Sequence, residues 1–427
     1  MQILKNTAII SGFTILSQML GVLRDKLLVS VVGIGVTLDI YNAGFKIPDF
    51  INSIFLSFVG ITVMVPFLTS SLVRNDKLEM ERKVSTIFYF FNTCLILASI
   101  LIIFTLDLFL HKLFPGFSSA DLLILSHVTK LMLVQPILLG SSNLITCVAQ
   151  SNKIFSYYAI SPLFYNIGVI IGILFFYKNY GVYGLVTGVI LGAFLHFSVG
   201  FIYLIRHKVD INLKYFDFKF IKEIFPIVAW RSIAFIMITL KQFSIAIVSG
   251  LLGTGIITVW TFALNLVNMC VQFFATSFAI ASFPVLSEYY EKKEMVKLEK
   301  TIKRNVREIF LYSVIFAMFM FLLARWIVGI VYNADAKVLE LFYILIFAIP
   351  FLNLEAYYAR AMMAMHKVKT LSAVHVLSFI FLILTLYFSY KNNYEYTFIA
   401  YAYLFSVLMQ ITFLYIFGQR SLKKLLK

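Results

Sequence analysis

Acidic residues are scarce in this sequence: 20 Asp and Glu stand against 36 Lys and Arg in 427 residues, and charged residues of both signs make up only 13% of the chain. So thin a polar complement excludes a soluble protein of this length, which could not cover its apolar interior. Cysteine is nearly absent as well. Cys94, Cys147 and Cys270 are odd in number, lie inside apolar runs and show no metal-ligand spacing, so they read as small buried hydrophobes and not as a disulfide or metal framework. No phosphate-cradling glycine loop, nucleophile elbow or zinc motif occurs. Polar loops large enough to hold catalytic groups are missing too. The chain is expected to be neither an ATPase nor another enzyme, and to use no cofactor or metal.

What is present is hydrocarbon-seeking sequence, 61% hydrophobic and 17% aromatic. At about 20 apolar residues per membrane span, the chain divides into roughly twelve. They are expected at about 8–32, 45–73, 84–110, 122–148, 157–176, 182–205, 224–252, 256–286, 309–332, 339–365, 371–390 and 398–417. The first is interrupted by Arg24 and Asp25 and lacks a small-residue cleavage site, so it reads as a retained helix and not as a signal peptide. Of the 36 basic residues, 24 fall in segments on one side of these spans, 5 on the other and 7 within them. The positive-inside rule then puts both termini in the cytoplasm, which requires an even number of spans. The net charge of +16 thus reports orientation, and no nucleic-acid partner is expected. The alternating charges from Glu288 to Glu308 read as an amphipathic cytoplasmic helix or an extension of a span.

An internal repeat is visible. Gly33 and Gly35 follow the first span as Gly253 and Gly255 follow the seventh, at an offset of about 220, and Ala43 matches Ala263 at the same offset. Six spans per half preserve orientation, so the expected fold is all-α, two pseudo-symmetric six-helix lobes. The lobes are assigned to residues 1–205 and 223–427, joined by a basic cytoplasmic linker, 206–222.

The densest charge beside apolar sequence lies between Gln18 and Phe67, with Arg24, Asp25, Lys26, Asp39, Lys46 and Asp49 in reach of two spans. A charge at membrane depth costs a few kcal/mol and usually faces a bundle interior or a wet cavity. Arg24 lies roughly 24 Å along its helix at about 1.5 Å per residue. Asp25, as its immediate neighbour, does not share its face and is expected to pair across to another helix. The seventh span adds Arg231 and Lys241, for which snorkelling to an interface is the alternative. Glu355 is the one acidic residue well inside the second lobe's spans; it is expected to pair with a neighbouring base, with a coupling proton or cation as the alternative. His196 and His375 are explained by packing or interhelical hydrogen bonds.

Ser17, Gln18, Gly21, Arg24 and Asp25, then Gly33, Gly35, Asp39, Ala43, Phe45, Lys46, Pro48, Asp49, Val65 and Pro66, resemble in order and spacing the opening of the MurJ/MviN family. Further matches are Pro115 to Phe117, Phe283 to Ser287, and Tyr358 through Arg360, Lys367 and Thr370. The resemblance implies a lipid II flippase of the multidrug and polysaccharide exporter superfamily. Such a protein alternates access between two lobes to move a polyprenyl pyrophosphate carrying the peptidoglycan precursor from the inner to the outer leaflet. It implies a multi-pass protein of the bacterial inner membrane, here taken as a monomer among membrane lipids. It also implies fourteen spans, where this sequence provides about twelve. The family pattern has arginine at Gln18 and near Asn265, basic residues at Asn52 and Ser53, and glutamate at Ser57, whereas Arg24, Asp25, Asp39 and Lys46 match it. Guanidinium and ammonium groups can replace the water around a pyrophosphate. The site is therefore expected to use Arg24, Lys46, Arg231 and Lys241 on the head group, with Asp25 and Asp39 as gate or orienting residues. The alternative substrate is another polyprenyl-linked oligosaccharide, of the capsule or O-antigen type.

Overall fold

The computed structural model describes residues 2–59, 68, 76–152, 154–392 and 394–426, with side chains over all of these except 2–11, 55–59, 227, 273–281, 284 and 419–426. Val65 and Pro66 of the opening motif lie outside the described residues. Helices follow in the order α1 (Gln2–Leu27), α2 (Val36–Gly44), α3 (Lys46–Val59), α4 (Lys77–Leu113), α5 (Ser119–Met132), α6 (Val134–Ser151), α7 (Ser156–Ile171) and α8 (Val182–His207). Then come α9 (Phe218–Leu251), α10 (Ile256–Glu291), α11 (Met295–Val331), α12 (Ala336–Ile346), α13 (Ile349–Ala364), α14 (Val368–Lys391) and α15 (Phe398–Leu426). Among the described residues eight helical stretches are long and apolar enough to span a membrane, and a ninth if α12 and α13 form one bent span. The other three expected spans have α1, α3 and α10 in their places, and of the span expected at 45–73 residues 60–67 and 69–73 lie outside the described residues.

Breaks fall where the backbone chemistry demands them. α1 runs into a π-turn, Leu28–Val32, closed by Gly33 N–H donating to the carbonyls of Leu28 and Val29 at 3.3 and 3.1 Å. The φ of +83° at Gly33 is in the region that favours glycine. Gly253 and Gly255 repeat this at φ +131° and +86°, and helices start at Val36 and Ile256, at equal distance from the two glycine pairs. Between the spans expected at 8–32 and 45–73 the chain is not an open turn: α2 forms directly after Gly35 and buries Leu38, Ile40, Tyr41 and Ala43. Two expected single spans are broken by proline. Pro136 and Pro350 each crowd the carbonyl four residues back, at Met132 and Ile346, where α5 and α12 end. α12 and α13 meet at 53°. The charged stretch from Glu288 to Glu308 is an extension of spans: it finishes α10 and, after a turn, opens α11.

The chain packs as two compact units, residues 1–239 and 240–427. Apolar burial drives helices together weakly in lipid, so close backbone approach and interhelical hydrogen bonds carry the association. In the first unit a glycine seam joins α7, with its π-turn Gly172–Phe176, to α8. A Cβ on Gly172 would lie 2.5 Å from Gly188 Cα, and one on Gly168 would lie 2.3 Å from Gly192 Cα. Beside the seam, His196 Nδ1 lies 2.7 Å from Ser142 Oγ, and Ser141 Oγ donates to Asn92 Oδ1 at 2.7 Å. In the second unit Asn353 donates to Ser313 Oγ at 2.9 Å and Asn305 to Ser282 Oγ at 3.2 Å.

The basic linker is docked, not loose. One face of the start of α4 receives it: Glu81 accepts from Asp210 N–H at 3.2 Å, Ser85 Oγ from Asn212 N–H at 3.0 Å and Thr86 Oγ1 from Asp217 N–H at 2.9 Å. Lys83 lies over the Phe220 ring at 5.8 Å.

Gly172→Val should lower the unfolding midpoint of the purified protein, because overpacking a close seam costs about 1–3 kcal/mol. Gly329→Ala on α11, where a Cβ meets nothing within 4 Å, should be neutral or stabilising in the same melting experiment.

Candidate functional site

The first unit's charged site is built on the last turns of α1. Arg24 Nη2 and Nε donate to the same oxygen, Asp25 Oδ1, at 2.7 and 2.9 Å, and Nη1 donates to Asn166 Oδ1 on α7 at 3.3 Å. Asp25 therefore pairs with its own neighbour, contrary to the expectation of a partner on another helix. Adjacent residues are about 100° apart on a helix, and the long guanidinium arm covers that angle. Asn166 is itself fixed from three sides, its Nδ2 lying 3.3 Å from Ser17 O, 3.3 Å from Ser17 Oγ and 3.2 Å from Pro162 O.

This arrangement has a chemical consequence. Asp25 is buried, its side chain 5% exposed, while Arg24 retains 24%. The carboxylate and amide use three of the five guanidinium N–H groups, and among the described residues the other two make no hydrogen bond. Held in this way, Arg24 can take an oxyanion without losing its internal partners. Tyr41 on α2 and Tyr165 on α7 lie within electrostatic reach of it, and Gln135 Nε2 donates to Tyr165 Oη at 3.3 Å.

Asp39 is buried in the first turns of α2, where the helix N-terminus favours a carboxylate. Lys46 opens α3 half-buried, one turn before Asp49, with Pro48 in the first turn where its missing N–H is harmless. Arg231 is half-buried on α9. Among the residues whose family counterparts are charged, Ser53 bonds back to Phe50 O at 2.7 Å, and Asn52 Oδ1 is buried without a hydrogen bond among the described residues.

Lys241 does not snorkel. It is 4% exposed, and its ammonium donates to Ser378 Oγ on α14 and to Gln410 Oε1 on α15, both at 2.6 Å. Ser378 Oγ lies 3.0 Å from Ser406 Oγ, and Gln410 Nε2 lies 3.2 Å from His375 Nδ1. The far side of that imidazole, Nε2, is 3.7 Å from Glu355 Oε1 on α13. Glu355 thus lies beside His375 and within electrostatic reach of the Lys241 charge. Four helices of the second unit meet here: α9 supplies its last turns and α13, α14 and α15 the rest. Among the described residues no group of three or more His, Cys, Asp or Glu could hold a metal ion. The oxygens around position 241 are taken by the lysine itself.

Sequence reasoning found the two charged centres but missed Asn166, Ser378, Ser406 and Gln410. A signal existed. His375 and Ser378 are three residues apart, and Ser406 and Gln410 four apart, so each pair puts polar groups on one face of an otherwise apolar span.

A family model described as Lipid II flippase MurJ matches residues 28–427. A relative named probable lipid II flippase MurJ, from Borreliella burgdorferi, is 24% identical over 340 residues, which is 76% of this chain and 64% of that protein. The chain therefore spans just under two thirds of that relative's length. A solved structure titled lipid II flippase MurJ, inward closed conformation, aligns with a TM-score of 0.77 at 19% identity, covering 97% of this chain and 89% of the other. An inward-facing multidrug resistance MATE family transporter of the MOP superfamily aligns at 0.80 and 14% identity, covering 96% and 95%. At these identities the structural likenesses are of fold.

Gln410→Leu should destabilise the protein by about 1–3 kcal/mol, since a buried ammonium loses an acceptor. Adding Lys241→Met to that variant should recover part of the loss, because removing both partners leaves no charge unsatisfied. Chemical unfolding of the two variants and the double variant closes the cycle; purely additive losses would show that the network is not one unit.

Proposed function

The chain belongs to the lipid II flippase MurJ family, and from that premise we propose that it moves lipid II, a polyprenyl-pyrophosphate-linked peptidoglycan precursor, from the inner to the outer leaflet of the bacterial cytoplasmic membrane. Transport proceeds by alternating access, with both termini on the cytoplasmic side and no chemical step.

The observation that carries this reading is the preorganised guanidinium of Arg24, fixed by Asp25 and Asn166 with N–H groups to spare. Pyrophosphate needs donors in fixed positions to replace its hydration, and a guanidinium anchored on one edge offers the other edge to phosphate oxygens. Lys46 and Arg231 supply further positive charge on the proposed path, and Asp39 orients or gates. Lys241, engaged within its own unit, is assigned to shaping that unit and not to direct contact with the head group.

Transfer of labelled lipid II between leaflets of reconstituted vesicles tests the proposal. Wild type should transport; Arg24→Glu should abolish transport while the protein still inserts and purifies. Arg24→Lys, which cannot keep the fork to Asp25 and Asn166 and still reach an anion, should lose about tenfold or more. Equal transport by Arg24→Glu would remove the guanidinium from the mechanism. Movement only of a labelled polyprenyl-linked oligosaccharide, run in parallel, would shift the substrate to the capsule or O-antigen class, in line with Gln18, Asn52 and Ser53 standing where the family has charged residues.

A further inference from the structure

A cavity of about 370 Å³ lies in the first unit, away from Arg24, lined by Lys77, Met80, Asn152, Ile154, Tyr203, His207 and Val209. That volume lies within the range of about 300–1,000 Å³ common for small-molecule sites. Its position follows from the helix ends. Lys77 is the first residue of α4, Asn152 follows the last residue of α6, Ile154 precedes α7, and His207 is the last residue of α8. The four residues stand at or just beyond the ends of stretches long and apolar enough to span a membrane, which is where apolar helix would give way to the headgroup region. In sequence its lining residues are flanked by basic Arg206 and Lys208 and by acidic Asp76, Glu81 and Asp210.

The lining offers donors, one acceptor and an apolar wall. The Tyr203 ring is stacked on His207, centroids 4.7 Å apart, and meets Tyr157 edge-on at 5.2 Å. Its buried hydroxyl accepts from Asn152 Nδ2 at 3.0 Å and so has its own hydrogen to give. Asn152 spends its amide hydrogens on Tyr203 and on Val148 O, which leaves its carbonyl oxygen as an acceptor. Lys77 Nζ donates to Lys208 O at 3.1 Å and lies 3.5 Å from Glu81, yet its side chain is 63% exposed and a third N–H faces out. Glu81 also accepts from Asp210 N–H, which holds its carboxylate on the linker side. Outward on the same helix turns stand Leu78, Phe201, Ile202 and Ile205, all exposed and apolar.

We propose that this cavity binds the phosphate-bearing headgroup of an anionic phospholipid. The phosphate takes the Lys77 ammonium, the Tyr203 hydroxyl and a His207 N–H; a headgroup hydroxyl donates to Asn152 Oδ1; the acyl chains run along the exposed apolar turns of α4 and α8. Basic pockets between spans on the cytoplasmic side recognise headgroups in this manner. Free phosphate shares the chemistry of the first contacts but has no use for the acyl surface. The proposal does not depend on which lipid the protein transports.

The test uses the full chain purified in a neutral detergent, titrated with phosphatidylglycerol, phosphatidylcholine or inorganic phosphate and read by native mass spectrometry. Phosphatidylglycerol should bind about tenfold more tightly than phosphatidylcholine, and inorganic phosphate should not displace it. Tyr203→Phe, which keeps the ring stack and removes one hydroxyl, and His207→Gln, at an exposed helix end, should each weaken phosphatidylglycerol several-fold. Lys300→Gln, a basic residue elsewhere, should leave it unchanged. A melting curve without added lipid shows whether Tyr203→Phe is folded, and His207→Gln decides the matter if it is not. Equal binding of the two phospholipids, or wild-type affinity in both folded variants, overturns the proposal. Displacement by inorganic phosphate at matched concentration overturns the lipid assignment and gives the cavity to a soluble phosphate.

Discussion

A charged group in hydrocarbon has no water to turn to, so its partners must come from other parts of the protein. That constraint explains why its charges come in assemblies. Arg24 carries its counter-ion on the next residue and a neutral amide across the helix interface; Lys241 has a hydroxyl and an amide oxygen at hydrogen-bond distance and a carboxylate one imidazole further away. The first assembly is electrically neutral but leaves N–H groups to spare. The second is buried, and both hydrogen bonds of its ammonium stay within its own unit. The physical difference is access: the Arg24 side chain is part exposed, and Lys241 is buried between helices.

The same constraint shapes the backbone. Where proline or glycine frees a carbonyl or ends a helix, the break is short and lies within a packed unit: Leu133 between α5 and α6, Phe347 and Ala348 between α12 and α13, and Ile34 beside Gly33 and Gly35. Such interruptions are where membrane helices expose polar backbone, which is why the charged residues of α1 to α3 cluster around the glycine pair.

How far the sequence revealed this depends on the kind of signal. Span positions, the glycine pair repeated at 33–35 and 253–255, and the Arg24–Asp25 centre could be read because composition and local backbone preference decide them. The bend before Pro350 and the break before Pro136 were written in the proline positions, but a long apolar run conceals them. The partners of Lys241 could not be read from charge, since Ser378 and Gln410 are neutral and lie 137 and 169 residues away. Nor could the pairing of Arg24 with Asp25, because helix spacing describes where side chains start, and an arginine ends several ångströms from there.

The Lys241 network has a thermodynamic side. An ion bound in an oxygen cage stabilises its host in proportion to the logarithm of its concentration, and is lost when the medium is depleted of it. An ammonium on a covalent tether has no concentration. While it stays protonated, the second unit holds one cation at full occupancy in any salt, so the cohesion of α9, α14 and α15 at this point is set by the polypeptide alone.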